Sequence, residues 1–472
     1  MVGIISYGVH IPRWRLSKKS INQAWRRPGG SGERSIANFD EDSITMAVSS
    51  GLACLGNARF SEKQVAGLYM ATTTPPYREK SSAAVVATAL DLRSDILTID
   101  YGFSLKASTA ALLSAFDRVK AGSKGALMVA ASDCRLAEPG TLLEPNLGDA
   151  SASVLVGESD SIACLIDAYS LSEDILDLWR RDADTFVRQD DVRFAQIYGF
   201  EKNVAEAISG LLAKTGMRPG DFTKVIIPPV DARSHLKLAS RLGFDAKNQL
   251  QQVLPDVGLC GTALPLFLLA TALEEASAGD RILLASYGDG ADAMAFEVRQ
   301  GIETLKTRGS IHRQHGAKRV MSNYNQYLSF NHLIKGQEPL TLPFSSTSMA
   351  YREKQSNMKL YARQCQGCKR TVFLRDIHVC PECYAQDRFE WKKLSKEAAL
   401  FTFNQEYYYP SPDPPTTMAV VDFPEGARLT TQMTDVDPSD VKIGMPLEIC
   451  FRKFHEGNFF HNYFWKCRPT LG

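Results

Sequence analysis

The sequence lacks an excess of charge of either sign. Lys and Arg number 54 against 53 for Asp and Glu in a chain of 472 residues. Such a balance creates no long-range field that would draw nucleic acid or an anionic membrane to the whole molecule. The composition therefore disfavours proteins whose main partner is a polyanion.

Long apolar runs are also missing. The most apolar stretch, ALPLFLLATAL at 263–273, is too short to cross a bilayer. The first residues, MVGIISYGVHIP, have neither the basic start nor the small-residue cleavage site of a secretory signal. We therefore expect a cytoplasmic protein with no membrane partner.

A disulfide framework is not indicated either. Of the 10 cysteines, four fall in a paired pattern near the C-terminus and six are scattered singly. Scattered cysteines with apolar neighbours in a long chain are typical of reduced thiols. The six single cysteines are Cys54, Cys134, Cys164, Cys260, Cys450 and Cys467.

What the sequence does contain is an alternation of short apolar runs and helical patterns from residue 1 to about 300, which predicts a layered α/β fold. The length exceeds what one hydrophobic core usually organises, so more than one domain is expected. Segments of the first half of this region have counterparts, in the same order, in its second half. The first-half segments are KASTAALLSAFDRVKAG, GALMVAASD and GDASASVLVG, and the second-half segments are LCGTALPLFLLATALEEASAG and DRILLASYGDGADAMAFEV. This order favours a duplicated α/β unit, with chance similarity between buried helices as the alternative.

A paired cysteine pattern follows this region. Cys365, Cys368, Cys380 and Cys383 form two C-x-x-C knuckles separated by eleven residues. Two such knuckles can close a tetrahedron of thiolates around Zn²⁺ and leave no open position, so a structural zinc site is predicted. Iron in a rubredoxin-like site is the alternative, and His378 is interpreted as a bystander. Beyond the knuckles, short strand patterns with turn signals suggest a small all-β barrel.

Several segments together resemble a known family. Six segments are similar to the 3-hydroxy-3-methylglutaryl-CoA synthases of the thiolase superfamily. They are GIISYGVHIPRWRL, SIANFDEDSITMAV, LYMATTTPPY, YGFSLKASTAA, LLEPNLGDASASVLVG and LLASYGDGADAM. The remainder resembles the zinc-ribbon and OB-fold proteins that accompany thiolases. The resemblance implies a duplicated thiolase-type αβαβα domain, coenzyme A thioesters as ligands, carbon–carbon bond chemistry and at least a dimer. It also implies the boundaries 1–165 and 166–335 for the two halves, 336–360 for a linker, 361–390 for the ribbon and 391–472 for the OB fold.

The resemblance fails at the residues that carry the family's chemistry. Leu105 stands where the family has its nucleophilic cysteine, Thr73 where it has a glutamate, and Ile227 near its histidine. Neither of the two aliphatic side chains can attack a thioester or move a proton, so the family's mechanism is not open to this chain. An acyl-CoA pocket is nevertheless expected around these positions and the glycine loops at Gly258, Gly288 and Gly290.

Three hypotheses follow. In the first, the chain is an acyl-CoA-binding subunit of a condensing or cleaving enzyme, and a second thiolase-like subunit supplies the nucleophile. In the second, it is an enzyme by itself, with aldol or retro-aldol chemistry that needs no acyl-cysteine intermediate. The candidate groups for this chemistry are Cys260, Asp231 and His235. Their plainer interpretations are a core cysteine for Cys260, a helix cap for Asp231 and a surface histidine for His235. In the third, the OB fold binds nucleic acid through the basic and aromatic residues 452–455 and 459–465.

Overall fold

A computed structural model describes residues 2–58, 60–158, 160–231, 233–305, 311–335, 344–374, 376–408 and 410–470. The chain divides into two compact units. Unit 1 comprises Met1–Ala37 and Asp42–Met321, and unit 2 comprises Asn38–Glu41 and Ser322–Gly472. Within the described ranges, every helix is too short or too polar to span a membrane.

Unit 1 alternates strands and helices along the chain, as the sequence predicts. Its strands are β1 (Gly3–His10), β2 (Trp14–Ser17), β3 (Glu33–Ile36), β4 (Val65–Ala71), β5 (Leu97–Tyr101), β6 (Ala126–Asp133), β7 (Ala150–Gly157), β8 (Ala163–Ser172), β9 (Leu178–Trp179), β10 (Arg188–Gln189), β11 (Lys224–Ile226), β12 (Arg281–Tyr287), β13 (Gly290–Val298) and β14 (Arg319–Val320). Its helices are α1 (Lys18–Ala24), α2 (Ser43–Ala58), α3 (Ser82–Ala89), α4 (Ala107–Lys120), α5 (Val192–Phe194), α6 (Lys202–Thr215), α7 (Ser234–Arg241), α8 (Ala263–Glu275), α9 (Ile302–Leu305) and α10 (Ile311–Gly316). A π-helical turn, Ala195–Glu201, joins α5 to α6, and 3₁₀ turns lie at Glu62–Gln64 and Pro219–Asp221.

The main sheet of unit 1 shows the predicted duplication. Among the described residues it has nine strands in the order β11-β12-β13-β8-β1-β7-β6-β4-β5. In one half β4 runs parallel to β6, and β7 lies antiparallel between β6 and β1. In the other half β11 runs parallel to β12, and β13 lies antiparallel between β12 and β8. The two halves therefore repeat one strand arrangement, as the repeated sequence pattern indicates.

Helices α4 and α8 occupy corresponding places in the two halves and lie in one hydrophobic core. Every residue of α8 from Ala263 to Leu273 is buried, which explains why this segment is apolar on all sides. The sequence pattern is thus that of a helix enclosed by protein. The same core contains Ala111 and Leu112 of α4, so the two central helices share their packing.

Unit 2 contains a small sheet and a closed barrel, which confirms the predicted β-rich region. Its helices are α11 (Tyr324–Phe330), α12 (Thr347–Arg352) and α13 (Lys354–Asn357), with a 3₁₀ turn at Pro438–Asp440. Its strands are β15 (Tyr361–Cys365), β16 (Thr371–Val372), β17 (Phe389–Lys393), β18 (Glu397–Glu406), β19 (Thr416–Asp422), β20 (Arg428–Met433), β21 (Pro446–Gly457) and β22 (Phe460–Pro469). The small sheet has the order β16-β15-β17, and the barrel closes in the order β18-β19-β20-β22-β21.

The predicted boundaries between the two halves of unit 1, and between the linker, the ribbon and the OB fold, stay predictions, because the division into two compact units does not test them. Residues 336–343 of the predicted linker lie outside the described residues. The structure does place Asn38–Glu41 in unit 2, although the sequence pattern DEDSITMAVSSGLACL suggests that a helix begins at Asp40. Helix α2 instead begins at Ser43, because Asp40 and Glu41 are engaged elsewhere.

A buried ionic network in unit 2 explains this displacement. Arg452 bonds Glu41 and contacts Asp435 at 2.6 Å, and Lys466 contacts Asp40 at 2.9 Å. The side chains of these five residues are at most 2% exposed. Buried charges require partners of opposite sign, so Asp40 and Glu41 are held in the barrel and cannot continue the helix.

Candidate functional site: the turn at Leu105

Leu105 lies in the turn between β5 and α4, two residues before the helix begins. The turn packs against the loop that joins β12 to β13, where Ser104 Oγ donates a hydrogen bond to the carbonyl of Gly288 at 3.0 Å. A Cβ on Gly288 would lie 2.8 Å from the backbone nitrogen of Leu105, and its φ of +156° is one that side chains rarely adopt. Glycine at 288 thus permits the close approach of the two loops that the predicted pocket requires.

The start of α4 is fixed by polar contacts. Lys106 Nζ donates to the carbonyl of Leu171 at 2.9 Å and lies 3.4 Å from Asp292 Oδ1. Thr109 Oγ1 donates to Asp292 Oδ2 at 2.6 Å. These contacts join the two sequence halves at the helix start, and they hold the turn at Leu105 in a defined position.

Thr73, at the predicted glutamate position, belongs to a threonine cradle around Asp133, defined here as Thr72, Thr73, Thr74 and Thr262. Asp133 Oδ1 accepts from Thr73 N at 2.7 Å, and Asp133 Oδ2 accepts from Thr262 N at 2.8 Å. Hydroxyl groups of the cradle donate four further hydrogen bonds to the same carboxylate. Asp133 is fully buried, so the cradle fixes the loop after β4 against the start of α8.

Cys260 lies beside this cradle, just before α8. Its side chain is fully buried, and its Sγ donates to the carbonyl of Gly258 at 3.3 Å. Burial, reinforced by the Asp149 carboxylate, raises the pKa of the Cys260 thiol, whereas a nucleophile requires a lowered one. The structure therefore favours the interpretation of Cys260 as a core cysteine, and a catalytic role for it stays a prediction.

Gly258 and Gly290 are both in conformations that admit a close backbone approach. Gly258 has a φ of +90°, and a Cβ there would lie 2.9 Å from the carbonyl of Leu147. A Cβ on Gly290 would lie 2.1 Å from the carbonyl of Leu171. Both glycines therefore shape loops, and their contact with a ligand stays a prediction.

Ile227 and Asp231 lie on the segment between β11 and α7, and His235 is the second residue of α7. Ile227 is fully buried in the second hydrophobic core, which also contains Phe200 and Tyr287. Asp231 Oδ1 accepts from the backbone nitrogens of Arg233 and Ser234 at 2.7 and 2.8 Å. The N-cap of α7 is Arg233, without a side-chain cap bond, so Asp231 fixes the turn that precedes the helix and is not its N-cap.

His235 is 6% exposed, which makes the alternative of a surface histidine wrong. Within the described residues, its Nδ1 has no hydrogen-bond partner. Burial lowers the pKa of His235, and the Asp231 carboxylate opposes that change. Burial on its own would raise the pKa of Asp231. Hydrogen bonds donated by the backbone nitrogens of Arg233 and Ser234 outweigh this effect, so the pKa of Asp231 is lowered.

The four paired cysteines converge in unit 2. Sγ atoms of Cys365, Cys368, Cys380 and Cys383 all lie within 4.8 Å of one another. Cys365 Sγ is 3.6 Å from Cys383 Sγ, and Cys368 Sγ is 3.5 Å from Cys380 Sγ. These separations fit four thiolates about 2.3 Å from one tetrahedral ion. His378 instead contacts Asp387 at 2.7 Å and is outside the cluster, as predicted.

Three of the basic and aromatic residues near the C-terminus, Arg452, Tyr463 and Trp465, are buried in the barrel, whereas others such as Phe454 are exposed. Arg452 and Trp465 are at most 1% exposed. Phe451 stacks on Tyr463 with ring centroids 5.4 Å apart and meets Trp465 edge-to-face at 5.1 Å. Buried rings cannot stack on bases. Phe459 is exposed, but this arrangement does not favour the nucleic-acid hypothesis.

Sequence reasoning missed Asp133, Lys106 and Asp292 as members of the site. Asp133 ends the strand GALMVAASD, and strand ends are where functional side chains often gather in α/β folds. That signal could have identified it. The contacts of Asp133 with Thr72 and Thr262, by contrast, depend on residues far apart in the chain.

Two family models match parts of the chain. Residues 212–299 match the 3-oxoacyl-[acyl-carrier-protein] synthase III C-terminal family, and residues 391–452 match the ChsH2 C-terminal OB-fold domain. Together with the observed topology, these matches confirm the predicted thiolase-type fold followed by an OB-fold barrel.

Curated relatives match most of unit 1. Hydroxymethylglutaryl-CoA synthase of Methanopyrus kandleri is 29% identical over 344 residues, which are 71% of this chain and 98% of the relative. The enzyme of Thermococcus sibiricus is 31% identical over 311 residues, which are 64% of this chain and 88% of the relative.

Solved structures share the fold. A crystal structure of hydroxymethylglutaryl-CoA synthase complexed with CoA superposes with a TM-score of 0.63 at 20% identity and covers 73% of this chain and 95% of the other. A crystal structure of 3-oxoacyl-[acyl-carrier-protein] synthase III from Aquifex aeolicus gives a TM-score of 0.56 at 22% identity and covers 63% of this chain and 100% of the other. A crystal structure of OleA from Xanthomonas campestris gives a TM-score of 0.56 at 18% identity and covers 63% of this chain and 98% of the other. From these relatives, the observed fold and the conserved order of its segments, the chain belongs to the hydroxymethylglutaryl-CoA synthase family of the thiolase superfamily, with an OB-fold domain joined to its C-terminal side.

Proposed function

We propose that the chain binds an acyl-CoA and takes part in carbon–carbon bond formation or cleavage, while a partner thiolase-like chain supplies the nucleophile. The observation that carries this proposal is Leu105. It stands in a turn whose contacts with Gly288 and Asp292 are intact, yet its side chain has no group that can form an acyl-enzyme. A preserved turn without a nucleophile suits binding and assembly better than independent acyl transfer.

The edge of the main sheet supports the expectation of at least a dimer. Strand β5, which leads into the Leu105 turn, is the last strand of the sheet, and Leu97 on it is 38% exposed. Unpaired edge strands readily accept another chain. A second copy of this chain or a thiolase-like partner would then lie next to the proposed acyl-CoA site.

The four-cysteine cluster is proposed to hold a structural Zn²⁺. Four thiolates complete a tetrahedral shell, so the ion would stabilise the fold and offer no position for substrate. In a cytoplasmic setting, which we also propose, reducing conditions keep such thiols available for the metal.

A second candidate function is favoured by His235. Its buried Nδ1 without a hydrogen-bond partner, together with a lowered pKa, describes a neutral imidazole that could act as a base in retro-aldol cleavage. Such an enzyme would act without Leu105 and without a partner. The two functions therefore predict opposite results for the isolated chain: the first predicts no turnover without a partner, and the second predicts turnover without one.

The experiment is a turnover assay of the purified chain with β-hydroxyacyl-CoA substrates, combined with affinity purification from the native host. We expect no turnover by the isolated chain and co-purification of a second thiolase-like chain that restores it. Unaided turnover that the His235→Ala and Asp231→Ala variants abolish would contradict the subunit proposal and support the second candidate. A Tyr351→Phe variant serves as a control because that exposed side chain belongs to unit 2 and to neither candidate set.

A further inference from the structure

Exposure to solvent separates two of the ten cysteines from the other eight. All ten lie in described ranges, and the two that are exposed, Cys368 and Cys383, both belong to the four-cysteine cluster. Cys134 is half-buried, and the remaining seven are buried. Cysteine oxidation follows thiolate character and access, and cysteines that bind a metal are thiolates. An oxidant that reaches this protein therefore meets the four-cysteine cluster first.

Each exposed cysteine of the cluster lies next to a buried one of the other knuckle. Cys368 Sγ is 3.5 Å from Cys380 Sγ, and Cys365 Sγ is 3.6 Å from Cys383 Sγ. Cys365 and Cys380 are both 0% exposed. A disulfide needs its sulfurs about 2.05 Å apart, so either pair closes after a movement of about 1.5 Å. The cluster thus supplies one sulfur that an oxidant can reach and a second sulfur that can complete a disulfide.

Access differs between the two exposed cysteines. A cavity of about 340 Å³ opens beside Cys368, and its lining includes Lys369, Thr371 and Glu425. Among the residues that the structure describes, Cys383 does not line this cavity. The cavity has room for several water molecules, and a peroxide molecule is only slightly larger than water. Cys368 is therefore the thiolate of the cluster that a small oxidant contacts from this cavity.

We propose that the four-cysteine cluster is a peroxide-sensitive modification site, in which Cys368 is oxidised first and Cys380 then forms a disulfide with it. The Cys368 thiolate attacks one oxygen of hydrogen peroxide, the O–O bond breaks, and a sulfenic acid and a hydroxide ion form. The Cys380 thiolate then attacks the sulfenic sulfur, so that the S–S bond forms and a second hydroxide ion leaves. The two sulfurs together lose two electrons, and these reduce the peroxide.

The disulfide removes two of the four metal ligands. Cys365 and Cys383 remain, and two thiolates are too few for the tetrahedral shell of zinc. The sheet formed by β15, β16 and β17 then loses the contribution of metal binding to its folding. A disulfide is reversible, so reduction by a thiol in the presence of zinc restores the ribbon. This inference rests on the proposed structural Zn²⁺, because it assigns a reaction to the same four thiolates.

The test is treatment of the zinc-loaded full chain with hydrogen peroxide. A chromogenic chelator measures the released zinc, and peptide mass spectrometry maps the disulfides. We expect release of about one zinc per chain, a first disulfide between Cys368 and Cys380, and renewed zinc binding after reduction. Amides of residues 361–393 should exchange faster after oxidation, while those of β6 in unit 1 keep their protection.

Two histidine variants separate the roles of the exposed cysteines. Zinc is also held by three cysteines and one histidine, so Cys368→His and Cys383→His each keep four ligands. Cys368→His should release zinc roughly 10-fold more slowly than the wild type, because the thiolate beside the cavity is gone. Cys383→His is the matched control and should release zinc at the wild-type rate.

Three outcomes overturn the inference and leave the zinc assignment standing: zinc that stays bound in peroxide, zinc that leaves without a disulfide, and a first disulfide that lacks Cys368. If the histidine variants do not bind zinc, the disulfide map of the wild type decides the question by itself. A wild-type chain that holds no zinc and takes up none when it is added contradicts the zinc assignment, and the inference with it.

Discussion

Replacing Cys380 by serine is expected to unfold the ribbon, predicted at 361–390, together with the end of β17 at Lys393, and to release its metal. Cys380 is buried, and hydrogen bonds from the backbone of Cys383 and Glu382 lower the pKa of its thiol to about 6, so it is well suited to bind metal as a thiolate. Metal binding contributes about 10 kcal/mol or more to the folding of small zinc modules. The small sheet formed by β15, β16 and β17 has little other core to replace that contribution.

Metal content and hydrogen exchange measure this effect. We expect about one zinc per wild-type chain by elemental analysis, loss of most of it in Cys380→Ser, and fast exchange of amides in residues 361–393. His378→Ala is the matched control, because His378 is next to the second knuckle but contacts Asp387, and it should keep the metal. A Cys380→Ser protein with full metal content and a protected ribbon would contradict the assignment.

Replacing Asp133 by alanine is expected to destabilise unit 1 by about 4 kcal/mol or more. The substitution removes the acceptor of six hydrogen bonds and leaves the backbone nitrogens of Thr73 and Thr262 without a partner. Each unsatisfied buried donor costs about 1–3 kcal/mol. Asp133→Asn should cost less, because its amide oxygen still accepts from part of the cradle.

Urea denaturation followed by hydrogen exchange in β6 would report the loss. Asp117→Ala is the matched control, since Asp117 is an exposed aspartate on α4, and it should change the unfolding free energy by less than about 0.5 kcal/mol. A midpoint for Asp133→Ala equal to that of the wild type would show that the cradle does not hold the site together.

Local patterns made much of the fold predictable from sequence. The C-x-x-C spacing identified the four cysteines because each knuckle is formed within a few residues. The repeated order of small-residue helix start, buried helix and strand indicated the duplication, since α4 and α8 occupy equivalent places. The family resemblance located the Leu105 turn for the same reason, as its glycines and small residues are adjacent in sequence.

Long-range contacts account for what sequence reasoning missed. Asp40 and Glu41 have the composition of a helix start, but their partners Arg452 and Lys466 come from the end of the chain. Strand β22 contains FHNYFW, which suggested a stacking platform, yet alternate residues of it face the barrel interior.

The most direct test of the account is native mass spectrometry of the purified chain with a saturating acyl-CoA, repeated after denaturation. The account predicts a non-covalent complex under native conditions, with the mass returning to that of the bare chain on denaturation, because neither Leu105 nor the buried thiol of Cys260 forms an acyl-enzyme. An acyl adduct that survives denaturation would show that this chain carries its own nucleophile and would contradict the central claim.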